Sequence, residues 1–327
     1  MLCGNYILSN RSEWTFYFLS SVQFNFTIGE NKKMTFTEEL QKRQNDKNNI
    51  KRLAAQRRIY SKAKEINYLI FGLVVLIPIV VSVLTTIPSL VFLQNPNVTL
   101  LFHAYTVFMV FLQYFLTTHI EKLKKYAAYI QLESDMKVFD LKWNDRLLGP
   151  KVDNTELVVE EFDKFPKKDL SDLNNWYDLS KLEKKKKEEV IRICQRQNLQ
   201  WNSTLYKRIN IGFNILIWGS FGIFVFIIPF LKLNMAQMIN SAVNFIPLIT
   251  WILDVNKNYQ KNKNILDELK KLISDKKYSN ISALIIEAKF TEYRQNDSLI
   301  PDCLYSLFRK KDNKIHQEAQ TFTINDH

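Results

Sequence analysis

Glycine and proline are scarce in this chain, 7 and 8 among 327 residues. So few turn-forming residues argue against a β-sandwich or barrel, whose many short strands need tight turns. Cysteine is scarcer still. Cys3, Cys194 and Cys303 are odd in number and far apart, which suggests neither a disulfide framework nor a zinc site. The four histidines are scattered, with no HExxH arrangement. Phosphate-binding glycine loops, dinucleotide-binding turns and a GxSxG elbow are all missing. No catalytic residue, metal ligand or cofactor is therefore expected, and an enzyme is not the leading expectation.

Charge is absent from four long windows. Asn67–Leu93, Leu100–Ile120, Ile211–Leu231 and Asn234–Leu253 contain no Asp, Glu, Lys or Arg. About 20 apolar residues in a helix cross the hydrocarbon core of a bilayer. The pattern predicts an all-α integral membrane protein with four transmembrane helices in two hairpins. The fourth window is the weakest, diluted by Gln237, Asn240, Ser241 and Asn244.

What surrounds these windows is basic, and the net charge is +12. Lys42, Arg43, Lys47, Lys51, Arg52, Arg57, Arg58, Lys62 and Lys64 precede the first window, and Lys122, Lys124 and Lys125 follow the second. Lys207 and Arg208 precede the third, and Lys257, Lys261 and Lys263 follow the fourth. The first hairpin loop carries no charge, and the second only Lys232. Positive residues collect on the cytoplasmic side of spans, so both termini and the middle segment are expected inside. The basic helix is suited to anionic lipid. No binding of nucleic-acid polymer is expected.

The expected organisation has six parts. Residues 1–33, aromatic and without a helical stripe, read as an N-terminal extension upstream of a natural start at Met34, or else as a lipid-contacting arm. A basic helix occupies 34–66, the first hairpin 67–120, a cytoplasmic domain 121–209, the second hairpin 210–254, and cytoplasmic C-terminal helices 255–327. The second span is expected to run on as a helix past Glu121. A long helix from Leu182 should lead into the third, with Gly149-Pro150 breaking the chain between them.

Polar residues recur at helical spacing within the windows. The candidates to line a pore are Ser82, Thr85 and Thr86 in the first, Gln113 and Thr117 in the second, Asn214 in the third, and Gln237, Asn240, Ser241 and Asn244 in the fourth. The competing reading is interhelical glue, because such side chains hydrogen-bond across packed helices in lipid. A four-span monomer is too small for a wide channel, so a pore would need a homo-oligomer. No charged ring is available within the windows to select ions.

Several stretches resemble one family when taken together. These are "RQNDKNNIKRLAAQRRIYSKAKEI" before the first window, "DMKVFDLKWND" after the second, "NWY" at Asn175–Tyr177, and "ICQRQNLQWNSTLYKR" before the third. They are similar, in the same order around the same four windows, to the SMODS-associated four-transmembrane family of pore-forming effectors. The resemblance runs from about Gln41 to about Lys263. It implies cyclic-oligonucleotide anti-phage defence in bacteria. A nucleotidyltransferase of the cyclic-GMP-AMP-synthase type would make a cyclic nucleotide on infection, and that messenger would activate permeabilisation of the inner membrane.

Phosphates pair with Arg or Lys, and bases stack on aromatic rings. For such a messenger the candidate contacts are Arg57, Arg58, Trp143, Asn144, Arg146, Trp176, Tyr177, Arg192, Gln195, Arg196, Asn198 and Trp201. Each Trp has a packing role as its alternative, and each Arg a solvated or lipid-facing one. At the level of function the alternative is a membrane-anchored scaffold or sensor that binds a partner protein through cytoplasmic helices. A membrane enzyme is the third reading and the weakest.

Overall fold

The structure, a computed structural model, describes residues 34–84, 95–180, 182–230, 246–296 and 299. The expectations for residues 1–33, Thr85, Thr86, the fourth-window stripe Gln237–Asn244 and the last helix lie outside the described residues, as do the side chains of Ser82 and Asn214. Every described element is helical, and no strand occurs among the described residues.

Helix α1 (Phe36–Gln44) starts on a capping box. The Glu38 amide donates to Thr35 Oγ1 at 3.3 Å, and the Thr35 amide donates back to Glu38 Oε2 at 2.7 Å. Asp46 then caps α2 (Lys47–Ile70), accepting from the Asn48 amide at 2.9 Å. Helix α2 does not stop where charge gives way to apolar sequence. It passes through a π-helical turn, Phe71–Leu76, into α3 (Ile77–Leu84). Pro78 lacks an N–H, and the Ile77 amide bonds to Gly72 O, so Leu73 O loses its ladder donor. The Tyr105 hydroxyl replaces it at 2.7 Å.

Helix α4 (Pro96–Val138) is 43 residues long, about 65 Å at 1.5 Å per residue. It runs antiparallel to α2. Among the described residues it is the one helix long and apolar enough to cross a membrane. The other three apolar windows are each only partly described, and four spans remain an expectation from sequence. At its C-terminus Asp140 takes φ 52°. The Asp140 amide bonds to Lys137 O and the Leu141 amide to Met136 O, a Schellman ending.

Short helices α5 (Asp145–Leu148) and α6 (Thr155–Asp163) follow, then a 3₁₀ segment, Lys167–Leu173. Gly149, at φ 76°, closes α5 and offers its carbonyl to Trp143 Nε1 at 3.0 Å. Helix α7 (Lys187–Phe230) enters the third window without a break, and α8 (Ile246–Ser274) leaves the fourth in the same way. Helix α9 (Asn280–Asn296) packs on α4, α8 and α7, while α2 packs on α4 and α6. The boundaries drawn at 66/67, 120/121, 209/210 and 254/255 thus all fall inside continuous helices.

Exposure reverses along α4. In its first half Leu101, Phe111 and Tyr114 are 62–69% exposed, whereas further on Ala127, Ala128 and Ile130 are fully buried. Helices α7 and α8 repeat the pattern. Ile215, Trp218 and Leu253 are exposed, but Ile191, Cys194 and Leu269 are buried.

Candidate functional site

The buried end of this bundle holds charge. Asp135 on α4 and Glu287 and Arg294 on α9 are all at least nine-tenths buried, together with Gln195 on α7. Burying a charge costs several kcal/mol unless it is paired and hydrogen-bonded. Arg294 Nη1 lies 2.9 Å from Asp135 Oδ2, an ion pair not aligned as a hydrogen bond. The Tyr177 hydroxyl donates to Asp135 Oδ1 at 2.8 Å and accepts from Asn198 Nδ2 at 3.0 Å. Gln195 Nε2 donates to Glu287 Oε1 at 2.8 Å and to Ala283 O at 3.1 Å, and its Oε1 accepts from the Tyr278 hydroxyl at 2.7 Å. Burial and then the neighbouring Asp135 carboxylate push the Glu287 carboxyl up to about 8, against the opposing pull of Arg294. Glu287 Oε2 is buried without a hydrogen-bond partner.

The "NWY" stretch delivers Tyr177 to this cluster. Asn175 adopts the left-handed conformation, φ 53°, which Asn tolerates better than most residues. Gln41 and Asn45 donate to its side chain at 2.6 and 2.9 Å, and its amide donates to Asn45 Oδ1 at 2.9 Å. The turn leaves Trp176 exposed and sends Tyr177 inward, 2% exposed, with its ring 5.1 Å from that of Phe139. Amide pairs extend the network along α2 and α4. Ser134 Oγ donates to Asn49 Oδ1 at 2.6 Å, and Gln56 Nε2 to Gln131 Oε1 at 3.2 Å.

Tyr177, Gln195 and Asn198 are thus brought together, but as interior groups. Arg192 is spent on Ile273 O at 2.7 Å and on the Tyr278 ring, and Arg196 is half-buried. Burial, then Arg192, lowers the Arg196 pKa. Trp143 packs on Tyr129 at 5.5 Å, Asn144 caps α5, Arg146 is exposed and Trp201 is half-buried. Arg57 and Arg58 stand on α2, and Arg58 Nε is buried without a hydrogen-bond partner. The open cleft beside Tyr177, about 810 Å³, is lined by Glu38, Asp178 and Glu183. Its charge opposes a phosphate rather than attracting one.

Among the pore candidates, Gln113 is buried and accepts from Thr250 Oγ1 on α8 at 3.4 Å. Thr117 lies one turn along the same face. Both border a crevice of about 90 Å³ between α2, α4 and α8.

The comparisons with known proteins agree with one another. A family model described as the SMODS-associating 4TM effector domain matches residues 38–322. The chain belongs to this family. The effector is also 25% identical over 291 residues to a Bacillus cereus (strain VD146) protein named "Probable CBASS effector molecule", covering 83% of this chain and 94% of that one. No solved structure matches.

Three groups central to the site of this SMODS-associating effector escape a reading of the sequence by motif. Asp135 opens "DMKVFDLKWND", yet it was not among the candidate contacts. Glu287 and Arg294 lie in "ISALIIEAKFTEYRQND". Their signal is positional: Ala283, Glu287, Phe290 and Arg294 follow i, i+4, i+7 and i+11, placing two opposite charges on the apolar stripe of α9. Among the described residues, no cluster of His, Cys, Asp and Glu could hold a metal ion.

Proposed function

We propose that this chain is a membrane effector of bacterial anti-phage defence. A cyclic oligonucleotide made on infection activates it, it assembles as a homo-oligomer, and it permeabilises the inner membrane without catalysing a reaction. The observation that carries this reading is the reversal of exposure along α4. Its aromatic first half stands open in the single chain, where lipid or a second copy would cover it. Its second half is buried among polar helices, so one rigid rod joins a cytoplasmic event to the bilayer. Membership of an effector family and likeness to a protein named as a CBASS effector support the defence setting.

In this reading both termini and residues 121–209 face the cytoplasm, as the Lys and Arg bias favours. The nucleotidyltransferase partner acts through its diffusible product. Arg57 and Arg58 stand on one helix pair, and Arg192 and Arg196 on another. A messenger that bridged them would select a rearranged form, which supplies the differential affinity a ligand needs to shift an equilibrium. The test is the full chain in dye-loaded liposomes, challenged with a panel of cyclic di- and trinucleotides. Release triggered by one of them is expected. Failure of every one to release dye from vesicles with verified insertion would overturn the reading.

A further inference from the structure

The helices that flank the first two charge-free windows, α2 and α4, pack on each other, and so do α7 and α8 beside the last two. Helix α9 packs on both groups, and its two sides differ. Towards α7 and α8 it is apolar. Ile286, Phe290 and Tyr293 share one buried cluster with Leu199, Leu269 and Ile273. Towards α4 and α2 the contact is mixed. Leu284 meets Leu132 and Met136, Arg294 pairs with Asp135, and the Tyr60 hydroxyl donates to Arg294 O at 3.3 Å.

The polar part of that second contact is underbonded. Asp135 Oδ2, Glu287 Oε2 and Arg294 Nη1 are all buried without a hydrogen-bond partner among the described residues. Such atoms are rare in protein interiors. Each would regain water if α4 and α9 parted. A buried ion pair contributes little net when both partners can be rehydrated together, unlike the loss of one partner alone. The apolar side has no such return, because parting there would expose Phe290 and Leu269 to water. The face towards α4 is therefore the easier one to open.

The two ends of these helix groups also differ. Far from the charge-free windows, Val138 and Phe139 of α4 share a core with Val190, Ile191 and Cys194 of α7. Exclusion from water holds that end together. At the other end the groups meet through Phe71 and Trp251, with rings 5.6 Å apart, and through Gln113 and Thr250. Those residues lie in the apolar windows, where lipid replaces water and contact between helices brings no hydrophobic gain. The lipid end is thus the one free to separate, and the Val138–Val190 end is the pivot.

We propose that α9 is an autoinhibitory clasp and that its face towards α4 is the parting plane of activation. Helix α9 stays with α7 and α8, releases α4, and lets the two helix groups swing apart about their outer end. The proposal rests on the permeabilising role above and names the contact that holds it off. A messenger drives the change by binding the parted form more tightly than the closed one.

The test is dye release from liposomes holding the full chain, challenged with the same nucleotide panel. A covalent link across the plane, Leu284→Cys to Leu132→Cys or Leu284→Cys to Met136→Cys, is expected to abolish nucleotide-triggered release. The link is a disulfide, or a short bismaleimide where no disulfide forms, and reduction of the disulfide should restore release. Wild type given the same reagents should be unaffected. Lys289 and Glu268 form an ion pair between α9 and α8 at 2.9 Å. Lys289→Cys joined to Glu268→Cys by bismaleimide should leave release intact, because α9 travels with α8. Arg294→Ala should release dye without nucleotide, with insertion and helix content unchanged. Leu284→Ala serves the same purpose should Arg294→Ala fail to insert. Undiminished release from chains linked across the plane, or equal blockade by the α8–α9 link, would overturn the clasp and leave the permeabilising role standing. So would tight vesicles with both alanine variants inserted. No release by wild type at all would overturn both.

Discussion

The two halves of α4 satisfy buried polar groups by different means. Near Asp135 the interior holds ionisable groups, with Asp135, Glu287 and Arg294 buried within one cluster. Near Gln113 the interior holds neutral amide and hydroxyl groups, hydrogen-bonded to one another and to backbone carbonyls. The first arrangement fits a region whose unfolded chain lies in water, where ionised groups are well solvated. There, charges that lose water must regain it in partners, so their geometry specifies which helices meet. The second fits a region bounded by lipid, where the separated helices have no water to gain and hydrogen bonds contribute little net. The polar end should therefore be intolerant of single deletions, and the apolar end forgiving.

The largest effect should come from Arg294→Ala. It strips the buried Asp135 of its cation. Breaking a buried pair in this way costs roughly 3–5 kcal/mol. Thermal unfolding in detergent should show it, and a loss below 1 kcal/mol would mean that the ion pair does not hold α9 to α4.

Next is the dependence on pH. Folded Glu287 titrates at about 8, against roughly 4.3 for an unperturbed carboxyl. Between those values the fold keeps a proton that the unfolded chain has lost. Its contribution is therefore full below the lower value and is lost as pH rises through the upper one. Wild type should lose stability between about pH 5 and pH 9. Glu287→Gln keeps the shape of the side chain and cannot ionise, so its profile over that window should be flatter. Parallel profiles would assign the titration to another group.

A smaller effect is expected from Tyr105→Phe, which leaves Leu73 O without its hydroxyl donor. An unsatisfied buried carbonyl costs about 1–3 kcal/mol. Thr250→Val should be smallest, about 0.6 kcal/mol for an interhelical bond in lipid. A Thr250→Val loss as large as that of Arg294→Ala would abolish the contrast between the halves.

Much of this fold is legible in the sequence because it depends on one-dimensional signals. Charge-free windows mark the apolar ends of the helices, Gly149 marks a break, and the motif-bearing segments do converge. The continuity of α2, α4, α7 and α8 across every charge boundary is harder to see, because composition changes abruptly where backbone hydrogen bonding does not. The interior network is harder still. In the sequence Tyr177, Gln195 and Asn198 read as ligand contacts, since hydrogen-bonding side chains near a basic segment suit a phosphate or a base as well as they suit a buried carboxylate. Only their partners distinguish the two roles. Those partners lie more than 40 residues away from Tyr177 or on α9, where periodicity reveals a face but not what meets it.

The π-helical turn at Phe71–Leu76 has a consequence for phase. A wide turn takes up about one residue more than an α turn, and one residue is about 100° of rotation. The stripe that α2 offers to α4 through Ala55, Ile59 and Ala63 therefore does not continue onto α3 at the same angle. A helical wheel drawn straight through Gly72 would assign Val80 and Leu84 to the wrong side. The chain acts here like a screw whose thread is offset part-way along, so that straightening this one turn would swing every side chain of α3 by more than a quarter circle without moving the basic helix beneath it.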